Sequence, residues 1–362
     1  MGKTRQSNFE LLRIIAMVMV LFVHATTATF KGYPTHDICA SSPFQGWLRC
    51  ELGLFGVQGV NIFVLISGWF GITLNVKRIT GILFQVVFYR VLIGICFMLI
   101  TSVSAYTILY DLIPGNHDWF TACYLIMVIF TPPINEYISE NKQKSILFVI
   151  ILTIFQIIFG WIFPVWKDYN HGYSAISFLI LYTIGRILRN EYDNYRPVKR
   201  PGVSLAKLLG FIVLLGSVIF SIDLFVTNEK VCGLLGSYVI SYASPVNITI
   251  AICFIFIFSQ FTISNKVINI LASSAFSVYL IHENPLIRPY YHGFARQIWE
   301  LSSPIANIAY LILLVSGTYL ICFAIDRIRI LIWEKILATS SIERISHRLG
   351  VWSEAIASKF IK

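Results

Sequence analysis

The stretch NFELLRIIAMVMVLFVHA, residues 8–25, sets the reading of the whole chain. It is apolar for long enough to cross a hydrocarbon core of roughly 30 Å as a helix. Yet it carries Arg13 near one end and His24 near the other. On a helix of 3.6 residues per turn, the eleven steps between them return a side chain to within about 20° of the same face, about 16 Å further along the axis. A charge inside an apolar run costs about 3 kcal/mol or more unless it faces a polar interior. Taken singly, each residue has an ordinary structural role open to it: Arg13 can snorkel to an interface and His24 can fill a polar pocket. Sharing one stripe, they point together to a functional face.

Working outward, apolar runs of similar length recur near residues 9–30, 52–74, 82–105, 119–135, 145–164, 172–190, 205–226, 239–261, 268–287 and 305–325. The chain is 57% hydrophobic and 13% charged, a balance that places its apolar surface against lipid rather than water. Lipid-exposed backbone must satisfy its own hydrogen bonds, and the runs lack the alternation of a membrane barrel. The expected fold is therefore all-α, a polytopic transmembrane bundle of about ten helices. The first run is too long for a cleaved signal peptide and lacks an A-x-A-like site, so it is read as a retained helix.

The formal charge of +10 does not imply nucleic-acid binding, because the lysines and arginines sit between apolar runs and not on one soluble face. With Lys3 and Arg5 in the cytoplasm, most other basic residues also fall at cytoplasmic ends, loops or tail. Lys31, Arg49, Lys167, Lys230, Arg288 and Arg296 fall outside, and Arg13 and Arg90 lie within apolar runs. Both termini are expected in the cytoplasm. Residues 1–325 form the membrane domain and 326–362 a basic amphipathic cytoplasmic tail. Cys39, Cys50 and Cys232 fall in outer segments, where a disulfide is one option. The outer segments also hold Tyr33, Trp47, Trp119, Trp166, Tyr169, Tyr290, Tyr291 and Trp299, which read as an interfacial aromatic belt with some rings free to stack on sugars.

Five segments, in order, resemble the acyltransferase 3 family of bacterial membrane acyltransferases. NFELLRIIAMVMVLFVHA has that family's arginine, ten residues, histidine signature. GLFGVQGVNIFVLISGWF at 53–70 is similar to its Gly-Val-x-x-Phe-Phe-x-x-Ser-Gly segment, and Lys77 and Arg78 follow as its basic cluster does. HDWFTACYLIMVIFTPPIN at 117–135 looks like its Trp-Phe/Tyr helix, and SSAFSVYLIHENPL at 273–286 like its late Tyr-Leu-Ile-His segment. Asn61 stands where many members carry an acid.

The resemblance implies an O-acyltransferase of the bacterial inner membrane, taking acetyl from cytoplasmic acetyl-CoA to a sugar hydroxyl of an envelope glycan or its lipid-linked precursor. Chemistry assigns the roles. Histidine is the side chain whose ordinary pKa suits removal of a hydroxyl proton near neutrality, which fits His24. Arg13, Lys77 and Arg78 are placed to hold the anionic end of the donor. His282 falls about as deep as His24 and, with Glu283, is assigned to proton transfer or acceptor orientation, an interfacial polar pair being the alternative. Trp119, Asn61 and Ser67 are assigned to the acceptor, although Ser67 with Gly68 also reads as a helix-packing device, since no hydrolase-type elbow surrounds it. No metal is expected. The rival from another class is a transporter or flippase of an amphipathic glycan, which would favour inverted repeats, and none is evident.

Overall fold

A computed structural model describes residues 6–74, 76–101, 104, 106, 118–163, 170–192 and 200–338, without the side chains of 76, 77, 142, 229 and 336–338. Among them every regular element is a helix. Helix α1 spans Ser7–Val23 and widens into a π turn over His24–Ala28. A short α2 (His36–Ser41) leads into α3 (Pro43–Phe70), followed by α4 (Val76–Ile100), α5 (Trp119–Glu140) and α6 (Lys142–Ile157). Then come α7 (Ala175–Glu191), α8 (Pro201–Phe225), α9 (Glu229–Val239), α10 (Pro245–Ser259), α11 (Lys266–Ala272), α12 (Ala275–His282), α13 (Arg288–Trp299) and α14 (Pro304–Ala338).

The centre of the bundle is α3, approached closely by α1 on one side and α7 on another. Small residues allow this approach. A Cβ on Gly59 would lie 2.5 Å from the Ala16 carbonyl oxygen, and one on Gly56 2.7 Å from that of Met19. At the other end, a Cβ on Gly185 would meet the Leu65 carbonyl at 2.5 Å, and Gly68 abuts the Tyr182 carbonyl. Gly71, at φ 69°, then ends α3 in the left-handed conformation that L side chains resist.

Outer helices show the reverse pattern. Leu147, Ile150, Phe211, Leu214, Ile312, Leu313 and Leu320 are exposed, as lipid-facing residues must be. Six helices among the described residues are long and apolar enough to cross a membrane. The other four expected spans differ in form. The run at 119–135 lies within Trp119–Glu140, which carries Pro132 and Pro133 in its interior, and that at 172–190 is a helix of 17 residues largely enclosed by its neighbours. The run at 239–261 is helical over Pro245–Ser259, and that at 268–287 breaks at Ser273–Ser274. Helix α3 begins nine residues before the expected 52, because Pro43 occupies a first-turn position where its missing N–H is no loss. Helix α14 continues past residue 325 to Ala338.

That continuation carries a buried polar cluster. The Asp326 carboxylate accepts from Tyr89 Oη at 2.5 Å, Ser277 Oγ at 2.6 Å and Arg329 Nε at 2.5 Å, tying α14 to α4 and α12. Arg327 donates at 2.8 Å to both Ser273 Oγ and Ser274 Oγ, at the break between α11 and α12. All seven cysteines are free, so Cys39, Cys50 and Cys232 form no disulfide.

Candidate functional site

The π turn determines where His24 sits. Widening a helix disturbs its carbonyl pairing, and side chains supply donors to carbonyls at this end of α1. Thr29 Oγ1 donates to the His24 carbonyl at 2.6 Å, Trp299 Nε1 to that of Ala25 at 2.9 Å, and Tyr291 Oη to that of Leu21 at 2.8 Å. Helix α13 thereby clamps the end of α1, and His24 faces the end of α12.

There His24 Nδ1 lies 2.8 Å from His282 Nε2 and 3.1 Å from Glu283 Oε1. His282 Nδ1 is 2.6 Å from the Val278 carbonyl oxygen. A carbonyl only accepts, so His282 Nδ1 carries a hydrogen, and in the neutral ring its Nε2 is the acceptor. His24 Nδ1 must then be the donor. The remaining nitrogen of His24, Nε2, is left with a lone pair. Glu283 Oε2 lies 3.8 Å from Arg288, and its Oε1 faces the ring that would become positive on protonation. This is the arrangement of a general base held by a hydrogen-bonded partner and a carboxylate.

Donor atoms of His24, His282 and Glu283 all lie within 4.8 Å of one another, so a metal ion deserves consideration. Two nitrogens bound tetrahedrally to zinc at 2.0–2.1 Å would stand about 3.3 Å apart. Their 2.8 Å separation suits a hydrogen bond instead.

Two cavities meet beside this group. One, of about 320 Å³, runs from Arg13, Arg78 and Phe70 past Ser67, Tyr124 and Phe276. The other, of about 270 Å³, includes His24, Thr27, Lys31 and the aromatic rings of Trp119, Tyr173 and Tyr242. Val20, Val60 and Tyr279 line both, so these three side chains form the partition between them. Tyr279 Oη donates to Asp118 Oδ1 at 3.1 Å, and Asp118 is paired with Arg90 at 3.8 Å.

The predicted site residues divide accordingly. Arg13 and Arg78 share the larger cavity, where Arg13 is held by Glu10 at 2.6 Å and lies over the Phe70 ring. The Lys77 side chain lies outside the described residues. Ser67 lines the same cavity, 3.3 Å from Tyr124 Oη. Trp119 belongs to the second cavity, its ring 4.7 Å from Tyr173 and stacked at 5.8 Å on Tyr242. Asn61 lines neither. It is fully buried and donates to the Tyr242 carbonyl at 3.1 Å, supporting the aromatic wall from behind. Sequence reasoning missed Tyr279, Asp118, Tyr173 and Tyr242. Arg90 was visible as a charge inside an apolar run, but nothing in the sequence named its partner.

The site and the bundle together define an all-helical membrane protein with a hydrogen-bonded histidine pair, one of whose rings lines the second of two adjoining cavities. The model of the acyltransferase 3 family, described as an acyltransferase domain, matches residues 6–327, and the chain belongs to that family. No curated protein and no solved structure matches the chain.

Proposed function

We propose that the protein is a membrane O-acyltransferase that moves an acetyl group from cytoplasmic acetyl-CoA to a sugar hydroxyl of an envelope glycan or its lipid-linked precursor, in a bacterial inner membrane. The observation that carries this reading is the hydrogen-bonded series Val278 carbonyl, His282, His24, which leaves His24 Nε2 as a proton acceptor where the two cavities adjoin.

In this reading the larger cavity takes the donor. Arg13 and Arg78 pair with its anionic end, with Lys77 beside Arg78 in the chain, and the pantetheine arm lies along the cavity toward Tyr279. The second cavity takes the acceptor, a sugar ring stacking on Trp119 and its neighbouring tyrosines. His24 Nε2 accepts the hydroxyl proton as the oxygen attacks the thioester carbon. The C–O bond forms, the C–S bond breaks, and the imidazolium returns its proton to the departing thiolate. Glu283 stabilises the transient charge on His24. The positive-inside asymmetry supports about ten spans with both termini in the cytoplasm, which puts the Arg13 end on the donor's side.

Mass spectrometry of the envelope polysaccharide tests the proposal. Cells with the intact gene should show repeat units heavier by one acyl group than cells carrying His24→Gln. Identical spectra, with both proteins expressed equally, would overturn it.

A further inference from the structure

Arg49 is 6% exposed, yet it makes no ion pair with any carboxylate of the described residues. Its guanidinium carbon lies 3.9 Å from the centre of the Phe30 ring, and its Nε is buried without a hydrogen-bond partner. A cation over an aromatic face recovers only part of the free energy lost when an arginine leaves water. Evolved interiors pair such charges, so a buried unpaired guanidinium beside open space calls for a counter-ion.

The open space is a third cavity, of about 240 Å³, beyond the π turn of α1, at the opposite end of α1 from Arg13. Arg49 lines it with Arg296, Ser41, Ser42 and Glu300. Two cations against one carboxylate leave a single positive charge uncompensated. Arg296 uses one nitrogen on the Thr29 carbonyl at 3.2 Å and keeps its others. The donors come from three helices, α2, α3 and α13, and their number suits an oxyanion with several acceptor oxygens. The cavity also adjoins the base: Trp299, in its wall, holds the carbonyl of Ala25, the residue after His24.

We infer that this cavity binds a singly charged phosphodiester, contacted by Arg49 and Arg296 and by the hydroxyls of Ser41 and Ser42. Its source is either an anionic phospholipid headgroup or a phosphodiester carried by a water-soluble molecule. The inference stands independently of the acyl-transfer reading, since it rests on an unpaired buried charge outside both cavities of that site.

Native mass spectrometry of the full-length protein in detergent tests it. Phosphatidylglycerol is titrated against diacylglycerol, which lacks the phosphate, and separately against soluble glycerophosphoglycerol. The intact protein should retain phosphatidylglycerol over diacylglycerol, with binding weakened at least tenfold in Arg49→Gln and several-fold in Arg296→Gln. Binding of phosphatidylglycerol alone identifies the lipid source, and Arg49-dependent binding of glycerophosphoglycerol as well identifies the soluble one. Arg296 is exposed, so Arg296→Gln decides the matter if Arg49→Gln does not fold. Equal affinity in the folded variants and the parent protein, or no preference for the phosphate, overturns the inference.

Discussion

His24 and His282, 258 positions apart in the chain, share a hydrogen bond of 2.8 Å that fixes which nitrogen of each ring carries hydrogen. In the proposed mechanism that order makes His24 the base and His282 its holder. Loss of a general base typically slows turnover by 10²–10⁴-fold. His24→Gln keeps a hydrogen-bonding side chain but takes up no proton. Acyl transfer by the purified variant should fall within that range while donor affinity, measured by calorimetry, stays unchanged.

In the same mechanism His282 acts through His24, and its replacement should cost less. Removing one buried hydrogen-bond partner is worth about 1–3 kcal/mol, or roughly 5–150-fold in rate. His282→Ala should therefore retain more activity than His24→Gln under the same assay. If it proves the more damaging change, the order of the two rings is reversed.

Arg13 is oriented by Glu10 at 2.6 Å before any ligand arrives. A planar fork can hold a phosphate through two bonds, whereas an ammonium is a point charge. Arg13→Lys should raise the dissociation constant for acetyl-CoA, and Arg13→Ala should raise it further, with the rate at saturating donor changed much less. Equilibrium binding beside steady-state kinetics checks both halves.

Tyr279 closes the space between the Arg13 and His24 cavities. Tyr279→Ala should join them and admit water to the thioester. The ratio of CoA release to acyl product should rise well above that of the parent enzyme. Tyr279→Phe keeps the ring, loses only the bond to Asp118, and should leave the ratio near normal.

Asp326 serves stability. Removing it leaves Arg329, itself 7% exposed, without the carboxylate it binds at 2.5 Å. Breaking a buried pair from one side costs about 3–5 kcal/mol. Asp326→Ala should show a clearly lowered melting temperature in detergent, whereas Asp326→Asn should lose less because its amide still meets Tyr89 and Ser277.

The sequence by itself determined the helical membrane class and the family, and it singled out Arg13 and His24, which the structure assigns to the linings of two adjoining cavities. Lipid forces apolar length and internal backbone bonding onto each run separately, and helical period fixes which residues share a stripe. Both are local properties, and so is the cost that marks Arg13 and Arg90 as charges requiring a partner. Tertiary structure alone decided the partners. His24 meets His282, Tyr89 meets Asp326, and Asn61 ends behind Tyr242 instead of in a cavity, because each contact joins helices whose relative rotation and depth no single run encodes. The π turn at His24 is of the same kind: the carbonyls of Ala25 within it and Leu21 just before it accept from Trp299 and Tyr291, more than 260 residues later in the chain, and only packing brings them there.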